Sequence, residues 1–134
     1  MTVLYVDSSA LLKRVVVEGE SLAVRALLRE RHLAGELLTS SSLAWLEVWR
    51  SLRRAGVADV EDVVAAALSG VAEYTLDEAV LQRARRVGVD QLRTLDAIHL
   101  ASAIAVGADA LITYDTRLAG AAAAVGLVVL APTG

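Results

Sequence analysis

The 134-residue chain has a formal net charge of −3, is 56% hydrophobic and contains no cysteine. The high apolar fraction argues against intrinsic disorder, and the absence of thiols excludes disulfides and thiolate metal sites. The slightly acidic balance gives no general attraction to nucleic acid, although 12 of the 13 basic residues are arginines, whose planar guanidinium groups suit phosphate.

The length and the distribution of apolar residues predict the number of domains and the location. A chain of this size suits one domain, covering residues 1–134. The longest apolar run, residues 119–132, is shorter than a membrane span needs and is interrupted by Gly120 and Gly126. The N terminus lacks the basic start and long apolar core of a signal peptide. We therefore expect a cytoplasmic protein with no membrane partner.

Short apolar segments alternate with helical patterns along the chain. Strands are predicted at residues 2–6, 37–39, 71–76, 110–113 and 127–130. Helices are predicted at residues 10–15, 21–32, 43–54, 59–68, 78–87, 95–106 and 117–125. Strands that are short and apolar throughout are typical of a parallel sheet covered on both faces. The predicted fold is therefore α/β, with three layers (α/β/α) and a short, mainly parallel central sheet.

Polar residues mark where the predicted helices begin. We expect capping by the serines at 40–42 for helix 43–54, by Asp77 for helix 78–87, and by Thr94 for helix 95–106. Helix 95–106 is apolar almost all round, which indicates a buried helix, with Asp96 in its first turn, where the helix dipole favours negative charge. The buried side of helix 21–32 is expected to consist of Leu22, Val24, Leu27 and Leu28.

Four carboxylates stand at positions where a charge needs an explanation. Asp7 follows the first predicted strand and Asp115 the fourth, so both are expected at the ligand-binding edge of the sheet. Glu47 lies in an apolar helix, and Asp96 begins the buried one. Each has a simpler alternative alone: a helix cap for Asp7, a turn for Asp115, an exposed stripe for Glu47 and a dipole contact for Asp96. Together they predict one acidic pocket.

Such a pocket would require a cation. Two like charges about 4 Å apart repel by roughly 4 kcal/mol at an effective dielectric near 20. Hard oxygen ligands select Mg²⁺ or Mn²⁺, and such ions activate water for hydrolysis of phosphodiesters. The four acids therefore predict metal-dependent phosphodiester hydrolysis.

Four segments of the chain carry a resemblance to one family. They are residues 6–11 (VDSSAL), Glu47 in its apolar helix, residues 95–101 (LDAIHLA) and residues 113–118 (TYDTRL). In this order and spacing the chain resembles PIN-domain ribonucleases, and more narrowly the VapC-type toxins of bacterial toxin–antitoxin pairs.

The resemblance implies a metal-dependent endoribonuclease with a PIN-like fold. Asp7, Glu47, Asp96 and Asp115 would be the catalytic acids and would hold one or two Mg²⁺ or Mn²⁺ ions. Thr113 would order the site through its hydroxyl, and Ser8 would support Asp7. Some relatives carry a further acid at the position of Arg117, which here is a candidate for contacting a substrate phosphate.

The resemblance also implies partners. They are an RNA substrate of the tRNA or rRNA class, a cognate VapB-type antitoxin that covers the site, and a second copy of the chain in a homodimer. Trp45 and Trp49 are one helical turn apart and either line the antitoxin groove or pack in the core. His99 is expected to be a packed, hydrogen-bonded residue in preference to a ligand or base.

Three other functions fit the residues less well or leave little trace. A receiver domain needs an acidic pair after the first strand and a lysine near the last strands, but the only lysine is Lys13. A dehalogenase-type phosphatase needs an aspartate at position 9, which is Ser9. A catalytically silent PIN-like interaction module remains the alternative, and the loss of one acid would identify it; all four are present.

Overall fold

The computed structural model describes residues 1–133. Within them the strands are β1 (Val3–Val6), β2 (Leu37–Ser41), β3 (Ala72–Tyr74), β4 (Ala110–Ile112) and β5 (Val128–Leu130). The helices are α1 (Ser8–Leu12), α2 (Ser21–Leu33), α3 (Ser42–Arg54), α4 (Val60–Ala67), α5 (Glu78–Ala84), α6 (Thr94–Ala105) and α7 (Thr116–Ala124). Every predicted strand and helix is present, and the largest errors in their ends are at the C termini of α1 and α5.

All five strands run parallel, in the order β3-β2-β1-β4-β5. The register places Tyr5 of β1 beside Thr39 on one side and Leu111 on the other. This confirms the predicted three-layer α/β/α fold. It also makes β1 and β4 neighbours, so the residues that follow them lie side by side at the carboxyl edge of the sheet.

Alternation along the strands divides the core between the two faces. Leu4 and Val6 pack in one cluster with residues of α1, α2, α3 and α4, whereas Tyr5 packs in the other with residues of α6 and α7. Because successive side chains of a strand point to opposite faces, one short strand serves both cores. From Ala97 to Ala103 every residue of α6 is buried, as predicted, while Leu95 is half-exposed.

Side-chain caps fix where several helices begin. The Asp7 carboxylate accepts from the Ala10 N–H at 3.1 Å, so α1 begins at Ser8, two residues before the predicted start. Ser41 caps α3 through Leu43 N–H, and Asp77 caps α5 as expected.

The predicted N-cap of α6 is wrong. Thr94 is the first helical residue, and the N-cap is Arg93, which is extended (φ −66°, ψ 151°) and makes no side-chain capping bond. Leu92 just before it packs in the second core, so we attribute the start of α6 to tertiary packing and not to a threonine hydroxyl.

The predicted buried side of α2 is partly wrong. Leu22 is 76% exposed, whereas Ser21 is buried together with Val24 and Leu28. Ser21 tolerates burial because its hydroxyl donates to the Val16 carbonyl and accepts from a backbone N–H. Among residues 1–133, none of the helices combines the length and apolarity that crossing a bilayer requires.

Candidate active site

Four carboxylates from separate parts of the chain line one cavity of about 310 Å³. Asp7 follows β1, Asp115 follows β4, Glu47 lies in the middle of α3 and Asp96 in the first turn of α6. The other lining residues are Ser8, Ser9, Arg93, Thr94, Leu95 and His99. The structure therefore brings together all four acids that the sequence singled out, and we call this space the acid cavity.

Asp7 is the most buried of the four acids, at 3% exposure. Its Oδ1 accepts from the Ser9 hydroxyl at 2.6 Å and from the Ala10 N–H at 3.1 Å, and its Oδ2 accepts from the Thr113 hydroxyl at 2.6 Å. Burial raises the pKa of Asp7, and the bonds from Ser9 and Thr113 oppose that rise. The carboxylate is therefore held in one orientation by donors on both sides.

The hydroxyl that supports Asp7 belongs to Ser9, not to Ser8 as expected from the resemblance. Side chains of a helix tilt toward its N terminus, which lets Ser9, in the first turn of α1, reach back to the capping residue. Its oxygen also accepts from the Tyr114 N–H at 3.0 Å, which links the ends of β1 and β4. Ser8 instead lines the acid cavity. The sequence did contain an indication of this contact, namely a serine two residues after Asp7.

Hydrogen bonds hold Asp115 at both its backbone N–H and its carboxylate. Its own N–H donates to the Thr113 hydroxyl oxygen at 3.0 Å, so one threonine contacts both Asp7 and Asp115. Its Oδ1 accepts from the N–H groups of Arg117 (2.9 Å) and Leu118 (3.1 Å) and thereby caps α7. Asp115 is therefore a helix cap and a wall of the acid cavity at once.

Asp96 carries the unsatisfied atom of the site. Its Oδ2 is buried and has no hydrogen-bond partner within residues 1–133. Burial raises the pKa of Asp96, and the negative charges of Asp115 and Asp7 raise it further, while the positive charge of Arg93 opposes them. A buried oxygen without a donor is costly, and such groups in native structures require an explanation, for instance an ion.

Glu47 is held by a histidine. The Nε2 of His99 lies 2.6 Å from Oε1 of Glu47, and its Nδ1 lies 2.7 Å from the Tyr5 hydroxyl. His99 is 2% exposed, which matches the expectation of a packed, hydrogen-bonded residue. Sequence reasoning missed Tyr5, because a tyrosine in a buried strand is ordinarily interpreted as a core residue.

The arginine whose side chain is found among the residues lining the acid cavity is Arg93, not Arg117. Arg93 lines the acid cavity, whereas Arg117 lines a neighbouring, mostly apolar cavity on α7. Arg93 is exposed, and its positive charge opposes the rise that burial causes in the pKa of Asp96. In the sequence Arg93 is one of twelve arginines, and no feature of its position assigns it to the site.

The acid cavity fits a hydrated divalent ion. Within residues 1–133 no three His, Cys, Asp or Glu side chains are close enough to enclose a metal by themselves. Mg²⁺ does not need such a cage, since it keeps several waters and binds through one or two carboxylates. The four carboxylates of the cavity offer oxygen ligands, and the Oδ2 of Asp96 is one that no protein group within residues 1–133 satisfies.

The two tryptophans of α3 differ in burial. Trp45 packs partly buried against the first core, while Trp49 is 39% exposed. Leu46 beside them is 57% exposed. Trp45 is thus a core residue, and Trp49 and Leu46 form an apolar surface on α3.

Comparison with known proteins identifies the family. Residues 4–124 match the family model described as PIN domain. Over 98 residues the chain is 42% identical to Ribonuclease VapC46 of Mycobacterium tuberculosis, covering 73% of this chain and 72% of that protein.

Two solved structures share the fold. One is M. tuberculosis VapC20, a sarcin–ricin loop cleaving toxin (TM-score 0.70, 19% identity, 93% and 96% of the two chains). The other is VapBC2 of Rickettsia felis bound to a promoter DNA fragment (TM-score 0.73, 11% identity, 98% and 99%). The chain belongs to the PIN-domain family and, within it, to the VapC proteins.

Proposed function

We propose that the protein is an endoribonuclease that depends on Mg²⁺ or Mn²⁺ and acts as the toxin of a toxin–antitoxin pair. The observation that carries the proposal is the convergence of Asp7, Glu47, Asp96 and Asp115 on one cavity, with a buried oxygen of Asp96 left unpartnered. A cluster of this kind is electrostatically costly unless a cation occupies it. The ribonuclease name of the 42% identical relative supports the choice of RNA as substrate.

The chain's own residues would hold the metal and orient the substrate. Asp7 is fixed by hydroxyl groups, and Asp115 is fixed at Oδ1 by the N terminus of α7. Glu47 is fixed at Oε1 by His99. Each is thus held before an ion arrives, which lowers the reorganisation that binding requires.

A bound Mg²⁺ or Mn²⁺ supplies Lewis-acid chemistry: it lowers the pKa of a coordinated water and offsets charge on the phosphodiester. Arg93, exposed at the acid cavity, would contact a substrate phosphate, in place of the Arg117 predicted from the sequence. The remaining acid oxygens would accept the proton that the attacking water loses.

The proposed partners follow from the surface and from the relatives. Trp49 and Leu46 present an apolar area on α3 that suits an amphipathic segment of a VapB-type antitoxin. An antitoxin arginine would complement the acid cavity. We further propose a homodimer and a structured RNA substrate of the tRNA or rRNA class. One neighbour in fold is a VapBC assembly, and another is a toxin that cleaves the sarcin–ricin loop.

The proposal is tested by RNA cleavage with purified protein. Cleavage of structured RNA is expected with Mg²⁺ or Mn²⁺ and none in excess EDTA. A Glu47→Gln variant should lose activity, whereas Asp62→Asn, an exposed acid on α4, should not. Equal cleavage with and without chelator would refute the metal mechanism, and a folded protein that cleaves no RNA under any condition would favour the silent interaction module.

The toxin role is tested separately in cells. Expression should arrest growth unless a small cognate partner is co-expressed, and the Glu47→Gln variant should be harmless. Normal growth of cells that contain active enzyme would contradict the toxin assignment while leaving the nuclease activity intact.

A further inference from the structure

A buried chain of hydrogen bonds leads from the centre of the sheet to the acid cavity. It begins at the Ser41 N–H, which donates to the Tyr5 hydroxyl at 3.1 Å. It continues from that hydroxyl to Nδ1 of His99 at 2.7 Å and from Nε2 of His99 to Glu47 at 2.6 Å. Tyr5 is 0% exposed and His99 2%, so the bonds at the Tyr5 hydroxyl are out of contact with solvent.

One arrangement of protons lets each bond of this chain have a donor and an acceptor. In it the Tyr5 oxygen accepts from the Ser41 N–H, and the phenol donates its own proton to Nδ1 of His99. A ring that accepts at Nδ1 carries its proton on Nε2 and donates it to Glu47.

Glu47 needs such a partner more than the three aspartates do. It has the longest and most flexible side chain of the four acids, and that side chain is still 23% exposed. Three other carboxylates share its cavity, and their repulsion favours rotamers that turn the Glu47 carboxylate toward solvent. The bond from His99 to Oε1 opposes that movement and leaves Oε2 available to bind an ion.

We propose that Tyr5 and His99 are positioning residues, which hold Glu47 in the acid cavity and thereby set the affinity of the site for a divalent ion. This inference rests on the proposed function, since it assigns a role within that site. The orienting partner of a metal ligand typically contributes 10- to 100-fold in metal affinity. The rings of Tyr5 and His99 also pack edge to face, with centroids 5.8 Å apart and planes at 70°, and this packing helps to hold the imidazole that contacts Glu47.

Nitrogen-15 NMR of histidine-labelled protein, free of metal, tests the arrangement without any activity assay. The chain has two histidines, and the exposed His32 serves as the internal reference. We expect His99 to be protonated at Nε2 with a slowly exchanging proton, and Tyr5→Phe to mix the two tautomers. A His99 protonated at Nδ1 alone would overturn the proposal, because Nε2 would then have nothing to donate to Glu47.

Manganese binding, measured by electron paramagnetic resonance, tests the consequence. His99→Leu should weaken Mn²⁺ binding 10- to 100-fold, His99→Gln should restore part of the affinity through its amide N–H, and His32→Leu should change nothing. In a Glu47→Gln background, His99→Leu should have little further effect. If His99→Leu does not fold, Tyr5→Phe, which removes a single oxygen, should still weaken binding several-fold.

The outcomes separate this inference from the proposed function. Unchanged Mn²⁺ affinity in folded His99→Leu or Tyr5→Phe, with RNA cleavage by the unaltered protein intact, would overturn the positioning role alone. An unaltered protein that binds no Mn²⁺ and cleaves no RNA would overturn the proposed function.

Discussion

Thr113→Val removes one hydroxyl that joins two of the acids in the proposed site. Thr113 is 1% exposed, and its hydroxyl donates to Oδ2 of Asp7 at 2.6 Å and accepts from the Asp115 N–H at 3.0 Å. Valine keeps the branched shape and the β-strand preference, so the change is close to a deletion of these two bonds. The variant therefore measures what the hydroxyl contributes to the buried carboxylate.

The expected loss follows from the charge on the acceptor. A hydrogen bond to a charged group contributes about 1.5 to 3 kcal/mol, and the loss of the second bond adds to this, so we expect a fall of about 2 to 3 kcal/mol in the free energy of unfolding at pH 7. An unfolding entropy near 2.1 cal/mol/K per residue converts this to a drop of roughly 7 to 11 °C in Tm. The loss should shrink at low pH, where Asp7 is protonated in both proteins.

Urea denaturation in EDTA measures this, with Thr39→Val as the matched control. Thr39 is 3% exposed and also donates one hydroxyl bond, but to the neutral carbonyl of Ala72 at 2.8 Å. Its replacement should therefore cost only about 1 kcal/mol, independent of pH. Equal losses in the two variants, or a Thr113→Val loss that does not change with pH, would refute the assignment of a charged Asp7 bound by Thr113.

Two further predictions concern the charges of the acid cavity. Asp96→Asn should abolish RNA cleavage but leave the free energy of unfolding in EDTA equal or higher, because it removes from a buried oxygen a negative charge that is repelled by Asp115. RNA-cleavage assays and urea denaturation measure the two effects. Full activity or a clear loss of stability would contradict this prediction. The second prediction is pH dependence: the folded-state pKa values of Asp7 and Asp96 are raised, so the folded state binds more protons than the unfolded state, and stability should fall as pH rises from about 4 through the raised values. Urea titrations from pH 4 to 8 should show a smaller fall with Mg²⁺ present and in the Asp7→Asn/Asp96→Asn variant; parallel curves for the variant and the unaltered protein would argue against these two groups.

The sequence by itself determined the layer architecture and the edge at which the acids meet. Short apolar strands alternating with helical patterns leave few arrangements besides a parallel sheet covered on both faces. In such a sheet all carboxyl ends lie on one edge, so Asp7 and Asp115 could be placed together without coordinates. The burial of α6 was equally predictable, because an uninterrupted apolar surface indicates a helix inside the protein.

Only the tertiary structure decided which groups support and surround those acids. Thr113 donates to Asp7 across 106 residues of sequence, Tyr5 contacts His99 across 94, and His99 contacts Glu47 across 52. Such contacts depend on strand order, register and helix packing, none of which leaves a periodic signal in the sequence.

The same reason explains the corrections. Ser9 and Arg93 lie near residues that the sequence had already singled out. Which of two neighbouring side chains contacts the acids depends on the orientation of the helix or loop that carries them. Hydrophobic periodicity predicts which face of an element is buried, but it does not predict the hydrogen-bond partner of each polar residue. The chemistry of the site was thus readable from residue types, while the positions of its supporting groups came from the packed core.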